Sequence, residues 1–329
     1  MKTPFWFRTK NPLAILLLPL SVLYFIISKT VWIARRFCIK TSKTPVICVG
    51  GILAGGVGKT PVVREIARYL NTPVVMRGYS GKNRVAGQPV KNTDSARDVG
   101  DEAKMLAESG LSVYVGSRKD NMDAINYAEL GKIPAIVLDD GFQNPSIKKD
   151  ISIVVFDENI CVGNGFLLPA GPMRETLRSG IKRCDAVLVG RGDSEVGCLR
   201  VLKIAKRYKK PVFFIKKETD TAGFFGKYVA FAGIGYPEKF FETLRSVPSI
   251  RIVEKIPFPD HHFYDKNDII RLFQAAKKYE ARLVCTEKDW VKLPRNIQAK
   301  VRYIPLKASM QPNFYVWLEK KLGEKHVTS

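Results

Sequence analysis

The chain is poor in acid, in histidine and in paired cysteine. Against 54 lysines and arginines stand only 31 carboxylates, which leaves a formal charge of +23. Such an excess calls for anionic partners: nucleic acid, anionic lipid or a phosphorylated substrate. The six cysteines (Cys38, Cys48, Cys161, Cys184, Cys198 and Cys285) are scattered, with no C-x-x-C pair. That excludes a zinc ribbon and a disulfide framework, and predicts reduced thiols; Cys48 and Cys285 fall inside apolar strand-like runs. The three histidines supply no ligand set at zinc-like spacing. A stacking-aromatic module of the RNA-binding kind is also missing, so the dispersed basic residues argue against nucleic acid. Guanine specificity needs [NT]-K-x-D, whereas Thr286-Glu287-Lys288-Asp289 sets Lys beside Asp.

What is present begins with an apolar stretch. Pro12 to Ser28 carries no charge, with Trp6 and Trp32 on either side and Arg35, Arg36, Lys40 and Lys43 following. The run falls slightly short of the roughly 20 residues that span a bilayer, and Pro19 inside it predicts a kink. Without a small-residue cleavage site before the basic flank, it reads as a retained membrane anchor, with the remainder of the chain cytoplasmic. Whether it crosses the bilayer or lies in one leaflet stays open. The full 329 residues, 46% of them hydrophobic, leave room for two domains beyond this segment.

The stretch Val46–Pro61, VICVGGILAGGVGKTP, reads as a buried strand, a glycine-rich turn and a helix start. This is the layout of a phosphate-cradling P-loop, with free backbone N–H groups at a helix N-terminus. Gly55, Gly56, Val57, Gly58, Lys59 and Thr60 form the expected cradle. Lys59 would reach the β- and γ-phosphates, and the Thr60 hydroxyl would ligate Mg²⁺. Pro61 is tolerated in the first helical turn. Leu53 stands where G-x-x-x-x-G-K-[ST] wants glycine. Further on, the apolar strand Ile133–Leu138 runs into Asp139-Asp140, an arrangement that holds Mg²⁺ directly or through water.

Strands and helices alternate through the rest, so we expect a doubly wound, mostly parallel α/β sheet of P-loop NTPase type. Residues Lys82–Val99 are polar and aperiodic and read as a mobile loop. Asp101 and Glu102 open a helix, where Asp101 suits either helix capping or chemistry. Leu167–Glu175 presents Arg174 and Glu175 before another helix. The pattern restarts near Lys227, which gives three segments: 1–40 anchor and basic flank, 41–226 P-loop core, 227–329 smaller α/β domain. Gly233-Ile234-Gly235 lacks the third glycine of a dinucleotide turn. Phe258–Asp265 holds His261 and His262 beside carboxylates, fit for a general base, a metal ligand or a cap.

GGVGKTP, Arg77-Gly78-Tyr79, Gly100-Asp101-Glu102, LDDGFQ, LPAGPMRE, FPDHH and Thr286–Asp289 occur in the order found in the tetraacyldisaccharide 4'-kinases. The resemblance covers nearly the whole chain. It implies a membrane-associated enzyme of Gram-negative lipid A synthesis on the cytoplasmic side of the inner membrane. The reaction implied is ATP- and Mg²⁺-dependent phosphorylation of the 4'-hydroxyl of an acylated disaccharide 1-phosphate, giving lipid IV(A), with anionic membrane lipids as further partners. By motif, Asp101 resembles the family's catalytic carboxylate and His261 its partner. Lys59 and Thr60 carry over to phosphate and metal; Asp139, Asp140 and Glu175 carry over to the acidic set around Mg²⁺. The chain departs from the family at Asn144, where histidine is usual, at Gly50–Leu53, where Gly-Asn-x-Thr is usual, and at Ala103-Lys104, which replaces a proline. A kinase for a different membrane glycolipid, or a membrane-tethered ATPase or GTPase switch, is the alternative.

Overall fold

The computed structural model describes residues 6, 11–56, 58–77, 87–116, 121–131, 133–158, 160–191 and 198–326. Two apolar helices lead the chain, α1 (Pro12–Leu16) and α2 (Leu18–Arg36). Pro19 falls in the first turn of α2, where a missing N–H is tolerated. The expected kink is therefore a break at Leu17 between two helices. By length and composition, α2 is long and apolar enough to cross a membrane.

One face of α2 nevertheless meets protein. Ser21 Oγ donates to Leu167 O at 2.9 Å and accepts from Ala170 N at 3.1 Å, and Tyr24 donates to Arg174 O at 3.0 Å. Leu20, Leu23, Phe25, Ile26 and Ile27 are exposed. Trp6 does not stand free as a membrane-facing bracket, because its indole N–H donates to Pro169 O at 2.9 Å.

The larger lobe runs through β1 (Val46–Gly50), α3 (Lys59–Tyr69), β2 (Val74–Arg77), α4 (Ala96–Val99), α5 (Asp101–Glu108), β3 (Val113–Gly116), α6 (Met122–Ala128), β4 (Ile136–Asp139), β5 (Ile151–Phe156), α7 (Leu177–Arg183), β6 (Ala186–Gly190), α8 (Leu199–Arg207) and β7 (Val212–Thr219). These strands pair in parallel in the order β3-β2-β4-β1-β5-β6-β7. Strands β1, β5 and β6 are buried at every position, as parallel strands covered on both faces must be. Alternate residues feed two cores: Ile47, Val49, Val137 and Ile153 on one face, and Cys48, Leu138 and Val154 on the other.

The smaller lobe comprises β8 (Gly226–Ala232), α9 (Pro237–Arg245), β9 (Ile250–Pro257), α10 (Lys266–Lys278), β10 (Arg282–Thr286), α11 (Glu287–Trp290), α12 (Arg295–Gln298) and β11 (Val301–Ile304). Its parallel sheet is ordered β11-β10-β8-β9. The chain then leaves it. β12 (Leu306–Met310) pairs antiparallel with β7, and α13 (Pro312–His326) packs Phe314, Leu318 and Leu322 into the larger core. The expected 227–329 domain thus ends near residue 304. Its last segment is drawn back because the apolar side of α13 fits against Phe213 and the Ala308–Met310 strand.

Two further expectations need correction. The Lys82–Val99 loop is ordered over its described part: Gly87 and Val90 donate to Val115 O and Val113 O, and residues 96–99 are α4. Residues 78–86, with Gly78 and Tyr79 of the Arg77 motif, lie outside the described residues. Cys161 and Cys198 form a disulfide, Cα to Cα 5.5 Å, although 37 residues apart in sequence. The turns after β5 and before α8 bring them together, which spacing alone does not reveal. Cys48, Cys184 and Cys285 are free and buried, as expected; Cys38 is free and exposed.

Candidate active site

Strand β1 delivers the chain to the carboxyl edge of the sheet, where open α/β sheets bind ligands. The turn that follows ends in Gly58, with φ +77°, directly before α3 begins at Lys59. A β-carbon at Gly58 would also lie 3.0 Å from the Lys217 ammonium. Leu53, the departure from the standard pattern, is buried and bridged to Met173. Its flanks are pinned on both sides, Ala54 N to Pro172 O and Arg174 N to Ile52 O, each at 2.7 Å. Here the front of the loop is a short ribbon with a hydrophobic core residue, and the glycines needed for left-handed backbone come later, at Gly55 and Gly58. Val57 lies outside the described residues.

Beside the loop, β4 ends in the two expected aspartates, and their surroundings differ. Asp140, with φ +53°, lies 3.4 Å from Lys59 Nζ and accepts from Arg174 Nη1 at 3.0 and 3.1 Å. Burial alone would raise its carboxyl, but Lys59 and Arg174 outweigh burial and hold it below the ordinary value. Asp139 is buried, and its Oδ1 has no hydrogen-bond partner. Burial, then repulsion from Glu102, pushes its carboxyl up to about 8 against the pull of Lys59. An orphaned carboxylate oxygen beside a phosphate-binding loop suits a hard cation, so the residues fit Mg²⁺ at Asp139 with Thr60, in the first turn of α3. Among the described residues no three His, Cys, Asp or Glu side chains converge on one metal position. Glu175 is paired: both its oxygens accept from Arg183 Nη2, at 2.7 and 2.6 Å, and Oε1 also accepts from Gln143 at 3.0 Å. Arg183 itself lies over Trp32 and Phe142.

Asp101 opens α5 and is buried. Its Oδ1 accepts from Glu102 N at 2.9 Å, one of the free N–H groups of the helix end, and Oδ2 lies 2.9 Å from His261 Nδ1. The two oxygens of this carboxylate therefore have different partners, one in the backbone of α5 and one in the smaller lobe. His261 arrives from the smaller lobe, 160 positions along the chain, with φ +58° and half of its side chain exposed. A non-glycine residue held in left-handed backbone at such a contact fits a functional constraint. His262 takes the packing role instead, stacking on Phe258 and bonding Asp268 at 2.7 Å.

Sequence reasoning missed three participants. Lys288 lies 3.6 Å from Asp101 Oδ2 and 3.3 Å from Glu102. Burial would lower its ammonium, but Glu102, Asp101 and Asp260 hold it above the ordinary value. The Thr286–Asp289 motif that carries Lys288 also presents Glu287 to Arg64 of α3 at 2.9 Å. In the same motif Asp289 grips Gly233 N at 3.0 Å and Lys292 at 2.7 Å, so the Gly233–Gly235 turn is structural. Gln143 bridges Gly51 O and Glu175. Lys217, held by Asp157 and Glu158 at 2.9 and 2.8 Å, overhangs Gly58; it lies two residues beyond the apolar run Val212–Ile215, and nothing in the sequence marked it.

Comparison with known proteins identifies the family. The family described as tetraacyldisaccharide-1-P 4'-kinase matches residues 13–323. The tetraacyldisaccharide 4'-kinase of Phenylobacterium zucineum is 41% identical over 281 residues, 81% of each chain. That of Bradyrhizobium diazoefficiens is 39% identical over 312 residues, 89% of this chain and 87% of its own. The crystal structure of LpxK from Aquifex aeolicus in complex with ATP superposes with a TM-score of 0.73 at 26% identity, over 95% of this chain and 99% of that one. The chain belongs to the tetraacyldisaccharide-1-P 4'-kinase family.

Proposed function

We infer that the protein transfers the γ-phosphoryl group of ATP to the 4'-hydroxyl of tetraacyldisaccharide 1-phosphate, giving lipid IV(A). The observation that carries this reading is the 2.9 Å contact between Asp101 of the larger lobe and His261 of the smaller one. It supplies a base pair beside a P-loop and two aspartates. Phosphoryl transfer asks for charge neutralisation and alignment more than for covalent help. Lys59 turns from Asp140 to the phosphates, and Arg174 keeps Asp140 paired when it does. Asp139 and Thr60 would hold Mg²⁺, which when bound offsets charge on the β- and γ-phosphate oxygens. Asp101 Oδ2 takes the proton of the acceptor hydroxyl, while His261 and Lys288 set its basicity. The exposure of the His261 ring favours a second reading, in which His261 Nε2 takes the proton and Asp101 holds Nδ1–H.

The acceptor is a lipid, and α2 offers an apolar surface to meet it. Because Ser21 and Tyr24 are bonded to the Leu167–Glu175 loop, the helix is suited to lie along the cytoplasmic face of the inner membrane rather than to cross it. Transfer of label from γ-labelled ATP to tetraacyldisaccharide 1-phosphate in mixed micelles tests the assignment, with Lys59→Ala alongside. Labelled lipid from the wild type alone supports it. Phosphate released only to water would mark a switch, and label on another glycolipid alone would mark a different acceptor.

A further inference from the structure

At the far end of α2 three cations surround one indole. Lys29 Nζ lies 5.5 Å, Arg36 4.8 Å and Arg183 5.4 Å from the Trp32 ring centroid. Arg183 is balanced by Glu175. Lys29 and Arg36 meet no carboxylate among the described residues. Two positive charges thus remain uncompensated on one ring, well within a Debye length of each other, and cation–π attraction offsets their repulsion only in part. The Trp32 indole N–H, which can only donate, is buried without a partner. Unspent positive charge around an orphaned donor is the complement of a phosphate oxygen.

We propose that Lys29, Trp32 and Arg36, backed by Arg183, form a seat for the phosphate of an anionic phospholipid headgroup. The occupant follows from position. Ile33, Phe37 and Ile39, exposed at 48%, 85% and 47%, continue the apolar surface of Phe25 and Ile26 past this cluster. When that surface enters the acyl region, the cluster stands at headgroup depth, where tryptophan, lysine and arginine are favoured. The inference rests on the reading of α2 as membrane-lying. It goes beyond general basic attraction by assigning named residues, one of them uncharged. Through Arg183 the seat also touches Glu175, and hence Gln143 beside the P-loop.

The test is co-sedimentation of the full chain with vesicles of phosphatidylcholine alone and of phosphatidylcholine mixed with phosphatidylglycerol. Lys29→Gln and Arg36→Gln should each weaken partitioning to the mixed vesicles roughly fivefold, the weight of one cation at a membrane surface. Trp32→Phe, which keeps the ring face and the charge but loses the N–H, should also weaken it. Arg35→Gln removes the same charge one residue away from the ring and should lose clearly less. Equal losses for Arg35→Gln and Arg36→Gln, with none for Trp32→Phe, would leave only diffuse attraction and overturn the seat. A wild type that binds neither vesicle removes the membrane reading and the seat with it. A wild type that binds both, with all four variants indistinguishable from it, removes the seat alone. The acceptor's KM in phospholipid-free neutral micelles should be unchanged in Lys29→Gln; a raised KM there would give the seat to the acceptor's own phosphate and refute the bulk lipid as occupant.

Discussion

Replacing Asp139 with asparagine should stabilise the protein while destroying its activity. In the folded chain burial and Glu102 push the Asp139 carboxyl up to about 8, whereas in the unfolded chain it titrates near 4. Between those values the folded protein keeps a proton that the unfolded chain has released. Its contribution to stability is therefore fully present below about pH 4, falls as pH rises, and is lost above about pH 8. At 1.36 kcal/mol per unit, that window bounds the loss at roughly 5 kcal/mol. Relaxation and water entry around the ionised carboxylate reduce it, and we expect about 2 kcal/mol. Asparagine does not titrate, so without nucleotide or divalent cation Asp139→Asn should gain about 2 kcal/mol over the wild type near pH 8 and nothing near pH 4. Urea unfolding of both proteins in chelator, repeated across that range, measures the difference, in which the effects of the large net charge cancel. Phosphoryl transfer should fall at least about a hundredfold in the same variant. A stability difference that stays constant with pH would refute the account of Asp139 as a carboxylate held ready for a cation.

Other expectations follow from single contacts. Asp101→Ala should lower kcat by at least about a hundredfold, the low end for losing a general base; near-normal turnover would leave Asp101 as a helix end alone. His261→Gln should lower kcat less than Asp101→Ala if the aspartate takes the proton, and at least as much if the histidine does, with the acid limb of the kcat–pH profile lost. Arg64→Ala strands the Glu287 carboxylate between the lobes, so urea unfolding should show a loss of about 3 kcal/mol, largely recovered in the double variant Arg64→Met/Glu287→Leu. Restoring the standard loop glycine with Leu53→Gly should cost about 3 kcal/mol of stability by emptying a buried site, without improving the ATP KM.

Much of this was legible in the sequence because it is local. The P-loop, the strand running into Asp139-Asp140 and the helix opening at Asp101 each depend on neighbours within a few residues. The alternation of strands and helices likewise follows from periodicity. Pairings made by the fold were not legible. Composition left His261 and His262 equivalent; only the path of the chain after β9 turns one towards Asp101 and the other towards Asp268. Glu175 has the right residue type for a metal, yet Arg183, eight residues on and one helix away, claims both its oxygens. Leu53 looked like a defect in a motif, because the bridge to Met173 that makes it a core residue spans more than a hundred positions. The Leu306–Met310 strand was missed because its partner, β7, lies some ninety residues earlier and runs the opposite way.

The return of β12 to β7 has a consequence for how the two halves of the reaction are kept apart. Thr219 and Leu306 face each other across that ladder, so the chain leaves for the smaller lobe and comes back through neighbouring points roughly 5 Å apart. Everything between them is a cassette hung on a pair of adjacent tethers. Such a mounting permits hinge rotation about one edge and resists free drift. It also means that a short turn could replace the cassette and leave the larger sheet closed. The remnant would keep the phosphate-binding parts, Lys59, Thr60, Asp139 and Asp140, and lose His261 and Lys288, so that capture of nucleotide and delivery of its phosphate could be studied as separate properties of separate pieces.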